Sequence, residues 1–123
     1  MNRIFYQVYV CNSDYAIETY KKAFNATLLN QHKTPEGVNI HTELNIYGQI
    51  LALSEISQQE EIVTGNTMQF CLQFNKNEKT KITNAYEVLK INANIQHPLG
   101  LTFYSEYMTD ITDQFGIRWC LFI

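Results

Sequence analysis

His41 and Glu43 stand two residues apart in a stretch rich in β-formers, so on a strand both project from the same side. Such a pair suits polar anchoring of a ligand, or a general base with the carboxylate that orients it. A hydrogen-bonded polar sheet face is the plainer alternative. Arg118 offers a guanidinium that could clamp a carboxylate or phosphonate through two parallel donors. It could equally pair with Glu43 or another acid across the sheet. Gln7, Gln69 and Gln73 add amides suited to a neutral polar ligand. Nothing near Cys71 or Cys120 in sequence depresses a thiol pKa, so both read, with Cys11, as small buried hydrophobes. His32 and His97 fall at a strand end and in a Pro-containing turn, where surface roles are the default. Tyr6, Tyr9, Tyr47, Tyr104 and Tyr107, with Phe5, Phe103 and Phe122, could wall a pocket for a flat ligand or simply fill the core.

The elements that must position these residues occur twice. Strand, helix and further strands run over residues 3–55, and the same order recurs over 67–123. In the first half, residues 4–11 read as a strand. Asn12, Ser13 and Asp14 are N-cap candidates, and Tyr15, Ala16, Ile17, Tyr20, Ala23 and Phe24 follow with helical spacing up to a left-handed Asn25. Strands are expected over 26–33, 38–46 and 50–55, with turns at 34–37 and 47–49. A polar segment, 57–65, links two modules of 1–56 and 66–123. The second module is expected to give a strand over 67–74 and a helix capped at Asn77-Glu78 and ending near Asn92. A short strand over 93–97 is broken by Pro98, and strands over 105–112 and 117–123 follow.

Strand parity separates two faces. Met68, Phe70, Leu72 and Phe74 oppose Gln69, Cys71 and Gln73, and Ile117, Trp119, Leu121 and Ile123 oppose Arg118, Cys120 and Phe122. Ile40, Thr42, Leu44 and Ile46 oppose His41, Glu43, Asn45 and Tyr47, and Ile4, Tyr6, Val8 and Val10 oppose Phe5, Gln7, Tyr9 and Cys11. The apolar faces must meet the helices, leaving the mixed faces to line a cleft.

Bulk composition removes several classes. Nine basic and twelve acidic side chains among 123 residues give a formal charge of −3, which argues against nucleic-acid binding. Three cysteines without zinc-ligand spacing argue against a metal finger or a disulfide framework. No signal-peptide stretch opens the chain and no apolar run approaches the roughly 20 residues of a membrane span. The expectation is a cytoplasmic protein with no membrane partner. There is no Ser/His/Asp order with elbow glycines, no phosphate-cradling loop and no dinucleotide fingerprint.

Residues 15–24 (YAIETYKKAF) resemble the AIEFYKKAF helix of glyoxalase/bleomycin-resistance-type proteins, the vicinal oxygen chelate superfamily. His41-Thr42-Glu43-Leu44 resembles the HAEL strand of its PhnB-like branch (also called demethylubiquinone-methyltransferase-like). Residues 113–119 (DQFGIRW) resemble that branch's DPFGVRW ending, with Gln114 in place of proline. The resemblance covers nearly the whole chain. It implies an α+β domain of two βαβββ modules whose sheets curve around a shared cleft, usually completed in a homodimer. In enzymatic members it also implies a divalent metal held by four ligands, one from each of four strands. Carried over, those positions fall on Phe5, Glu43, Gln69 and Cys120. Only Glu43 is an ordinary ligand for a hard or borderline metal, whereas Phe5 cannot coordinate, Gln69 is a weak donor and Cys120 is soft.

The expected function is therefore a metal-free small-molecule binding protein, as in the drug-sequestering members, with its exact activity and whether it is an enzyme left open. Its ligand-binding face comprises Phe5, Gln7, His41, Glu43, Gln69, Arg118 and Cys120, with no cofactor. A divalent-metal-dependent lyase, isomerase or dioxygenase is the first alternative, and a dimeric scaffold with a vestigial cleft the second. The methyltransferase label finds no support, because no glycine-rich loop follows the first strand.

Overall fold

Ala16, Ile17, Tyr20, Ala23 and Phe24 recur at intervals of one, three and four residues, which places them on one face of a helix. In the computed structural model, which describes residues 1–123, that face is buried: the five side chains are 0–4% exposed. Helix α1 spans Ser13–Phe24 and lies against β1 (Tyr6–Val10), β3 (Asn39–Ile46) and β4 (Gln49–Glu55), with β2 (Thr27–Lys33) completing the sheet. The strand order is β1-β4-β3-β2, with β1 parallel to β4 and the other neighbours antiparallel. The second half repeats this order. Strands β5 (Phe70–Gln73), β6 (Asn94–Gly100), β7 (Met108–Thr112) and β8 (Arg118–Phe122) pair as β5-β8-β7-β6. Helix α2 (Lys79–Leu89) follows β5 and buries Ile82, Ala85 and Leu89. The chain is thus α+β, two βαβββ modules, and divides into compact units Met1–Ile62 and Val63–Ile123.

Three local expectations are corrected. Asn12 does not cap α1 with its side chain; it is left-handed (φ 55°). The cap comes instead from Glu55 at the end of β4. Its carboxylate accepts the Asn12 and Ser13 amides and the Ser13 hydroxyl, all at 2.8 Å. An anion there also suits the positive end of the helix. In the second unit a single 3-10 turn, Lys76–Glu78, precedes α2, and Glu78 reaches back to the amide of Asn75 at 2.9 Å. The cap therefore lies two residues before the expected site. Finally, β6 runs through Pro98 rather than stopping before it. It is an edge strand, where a missing N–H is tolerated, and its register with β7 shifts on either side of His97.

The turn after β7 explains the DQFGIRW segment. One Asp113 carboxylate oxygen accepts the amides of Phe115 (2.9 Å) and Ile117 (3.0 Å), and the other accepts the indole N–H of Trp119 at 2.9 Å. Trp119 is 2% exposed, so its donor has to be satisfied inside. Gly116 closes the turn at φ +84°, where a Cβ would stand 2.9 Å from the Thr64 hydroxyl. The motif is thus a structural knot at the edge of the core.

Replacing Asp113 with Ala leaves a buried indole donor and two turn amides without their acceptor, a loss of roughly 1–3 kcal/mol. Asp113→Asn should cost nearly as much, because one of its two terminal groups donates where both must accept. Urea denaturation of the two variants tests this; an Asn variant as stable as the parent would show that the indole bond contributes little.

Candidate functional site

Strand pairing places one acid in the same position of each module. In the first sheet, register aligns Gln7, Ala52, Glu43 and Asn30 in a row across β1, β4, β3 and β2. In the second, the matching row is Cys71, Cys120, Asp110 and His97. Glu43 and Asp110 are therefore repeat counterparts on the third strand. Neither is free.

Glu43 has a side chain only 3% exposed and is engaged on both oxygens. Arg3, just before β1, grips it in bidentate fashion, at 2.7 Å to Oε1 and 3.0 Å to Oε2. Asn30 Nδ2 donates to Oε2 at 3.1 Å, and His41 Nε2 lies 3.0 Å from Oε1. An ionised carboxylate only accepts, so His41 carries its proton on Nε2. The Arg3 bonds, then those of His41, hold the Glu43 carboxyl down at about pKa 2 despite its burial. Arg3 itself remains half-exposed, its guanidinium 4.6 Å from the centroid of the Phe5 ring, a cation–π arrangement. The Phe5 ring in turn meets His41 edge-on, with centroids 6.0 Å apart. Gln7 turns to β4, donating to Ser54 Oγ at 2.8 Å.

The second unit builds its counterpart differently. Asp110 takes Arg118 through Nε (3.0 Å) and a terminal nitrogen (2.8 Å), two donors from the neighbouring strand. Gln69 Nε2 donates to the same carboxylate at 2.9 Å, and the Cys71 thiol lies 3.6 Å from the Gln69 carbonyl oxygen. Arg118 therefore pairs with Asp110 and not with Glu43. Burial pushes the Cys120 thiol above its ordinary pKa, and neighbouring Cys71 adds to the effect, while a Tyr104 hydrogen bond works the other way.

Phe5, His41 and Glu43 thus meet in the first unit, Gln7 sits beside Ser54, and Gln69, Arg118 and Cys120 belong to the second. The aromatic set divides: Phe103, Tyr104 and Phe122 contact one another edge-on in series in the second unit, while Tyr47 packs on Phe24 and Tyr107 bonds Thr83 of α2. The expectation of three buried thiols also fails, since only Cys120 is buried. Cys11 lies past the end of β1, and Cys71 is exposed on the face of β5 that it shares with Gln73.

The four positions carried over from metal-bearing relatives do not fit a divalent ion. Phe5 has no donor, Glu43 is saturated by Arg3, His41 and Asn30, and Gln69 is committed to Asp110. Cys120 would have to ionise, which its burial opposes. No three His, Cys, Asp or Glu side chains are grouped to hold a metal. The repeat exposes a further mismatch: Cys120 on β8 corresponds to Ala52 on β4, while Glu43 corresponds to Asp110, so the carried set is not symmetric between modules. Reading the fourth position back through the repeat yields an alanine.

Sequence reasoning did not single out Arg3, Asn30 or Asp110. Arg3 and Glu43 are 40 positions apart, so no local spacing signals the pair. Asp110 had a usable signal, because it and Arg118 flank the 113–116 turn on the same face of a hairpin.

The model of the Glyoxalase/Bleomycin resistance protein/Dioxygenase superfamily matches residues 2–121. No curated protein sequence matches the chain. Among solved structures, the PhnB protein from Bacillus cereus is similar at TM-score 0.81 and 18% identity, covering 98% of each chain. A Pseudomonas aeruginosa protein is similar at TM-score 0.80 and 20% identity, covering 99% of this chain and 97% of that one. The fosfomycin resistance protein FosX from Listeria monocytogenes gives TM-score 0.73 at 10% identity, with 99% and 93% covered; it has also been crystallised with Mn(II) and sulfate. At these identities the likeness is one of fold.

A carboxyl whose folded pKa lies below its unfolded value stabilises the fold above the unfolded pKa and loses that contribution as pH falls through the folded one. For Glu43 the window runs from the ordinary value of 4.5 down to about 2. Urea midpoints of the parent should therefore fall on acidification through this range, and Glu43→Gln should flatten the slope. An unchanged slope in Glu43→Gln would mean that the Arg3 contact contributes nothing to stability.

Proposed function

For a chain that belongs to the glyoxalase/bleomycin resistance protein/dioxygenase superfamily, we propose a metal-free role: it binds a small organic molecule and performs no metal chemistry on it. One observation carries the reading. The single carried-over position with a good metal ligand, Glu43, is closed by a bidentate arginine from its own module. An ion competing for Glu43 would have to displace a guanidinium already at hydrogen-bond distance, and would then find His41 beside it but no third ligand.

What the face offers instead is recognition chemistry. Arg3 presents a half-exposed guanidinium stacked on Phe5, and His41 keeps its Nδ1 as an acceptor when neutral. A flat compound with an acceptor group for Arg3 and a donor for His41 fits that combination. Binding such a compound uses the carboxylate as a brace that fixes both side chains, so the site is pre-organised before the ligand arrives.

Metal analysis of the purified protein and thermal-shift assays with Mn, Ni, Zn and Fe salts test this. The expected result is metal far below one equivalent and no rise in Tm with any of the four, alongside saturable stabilisation by organic compounds that weakens in Arg3→Ala and His41→Ala. One bound equivalent of metal with a marked rise in Tm would overturn the reading.

A further inference from the structure

We propose that Cys71 and Cys120 are a thiol pair that closes reversibly into a cross-strand disulfide when the protein meets a low-molecular-weight disulfide. The two residues are partners in the parallel β5–β8 register, and their side chains leave the sheet on the same side. Adjacent strands lie about 4.7–4.9 Å apart, inside the roughly 4.4–6.8 Å Cα separation that a disulfide spans. Cys71 is exposed and Cys120 buried, so an oxidant reaches one sulfur and the other waits beside it. This inference is independent of the ligand-binding role.

The chemistry balances with the oxidant named. The Cys71 thiolate attacks the small disulfide RS–SR, forming a Cys71–SR mixed disulfide and releasing one thiolate. Cys120 then gives up its proton and attacks the Cys71 sulfur, which forms the protein disulfide and expels the second thiolate. Both leaving thiolates take up the protons that the two cysteines lose. Two electrons pass from the protein to the small molecule, which is reduced to two thiols.

Geometry also makes the bond easy to reverse. Side chains of parallel-strand partners stand nearly parallel, so their Cβ atoms keep about the strand spacing, which is longer than the roughly 3.8 Å that a relaxed disulfide prefers. A bond closed against that preference is strained and reducible, the mark of a labile disulfide and not of a structural staple. Closure has a local consequence. Cys71 loses the S–H it directs at Gln69, and Gln69 is the amide that helps hold Asp110. Oxidation therefore alters the hydrogen bonding around Asp110.

The test incubates the full chain with oxidised glutathione, blocks remaining thiols and maps tryptic peptides. Cleavage after Lys33, Lys76 and Arg118 puts Cys71 in residues 34–76 and Cys120 in residues 119–123, apart from Cys11 in 4–21. The expected result is a cross-linked 34–76/119–123 pair, lighter by two hydrogens than the separate peptides and lost on mild reduction. Cys120→Ser should instead accumulate glutathione on Cys71. A parent protein that stops at glutathionylated Cys71 with Cys120 free, or that links either residue to Cys11, overturns the proposal.

Discussion

A guanidinium gripping a carboxylate on the third strand is the interaction on which the chemistry of both modules turns. In the first it is Arg3 on Glu43, and in the second Arg118 on Asp110. Each uses two parallel N–H donors, the geometry in which arginine binds a carboxylate most strongly and most directionally. Removing Glu43 from water is tolerable only because the cation and further donors, Asn30 and His41, go with it; Asp110, still partly exposed, adds Gln69 to its arginine. Once satisfied in this way, the carboxylate has nothing left to offer an ion. It becomes a fixed brace for the side chains around it.

The two braces are built from different parts, which says how the repeat has diverged. Glu43 draws its cation from the segment before β1, while Asp110 draws its own from the first residue of β8. The neighbours then differ in kind. Around Glu43 stand an imidazole and a phenyl ring, and around Asp110 an amide and two thiols. Backbone topology is common to both modules, because pairing order and register depend on apolar alternation and turns that both halves keep. Side chains on the opposite face are under no such constraint.

This difference also explains what could be read from the sequence. The α1 stripe from Ala16 to Phe24, the left-handed Asn25 and the reversal at Tyr47-Gly48 follow from local spacing and turn chemistry, and the structure contains them. The Glu55 cap was not legible, since the capping oxygen comes from a strand more than 40 positions away. The same holds for Arg3 and Glu43. Edge position, which depends on strand order, decided that β6 could pass through Pro98. The 113–119 motif was visible as a pattern, yet its meaning emerged only when Asp113 was seen to hold the turn and the Trp119 indole together. Local physics was readable, and long-range partner choice was not.

The most direct measurement is an NMR titration of the Glu43 side-chain carboxyl carbon. The account predicts a midpoint near pH 2, well under the ordinary 4.5, a large upward move in Arg3→Ala, and no response to added Mn(II) or Zn(II). A midpoint near 4.5 in the parent, or a Glu43 resonance broadened or shifted by stoichiometric metal, would contradict it.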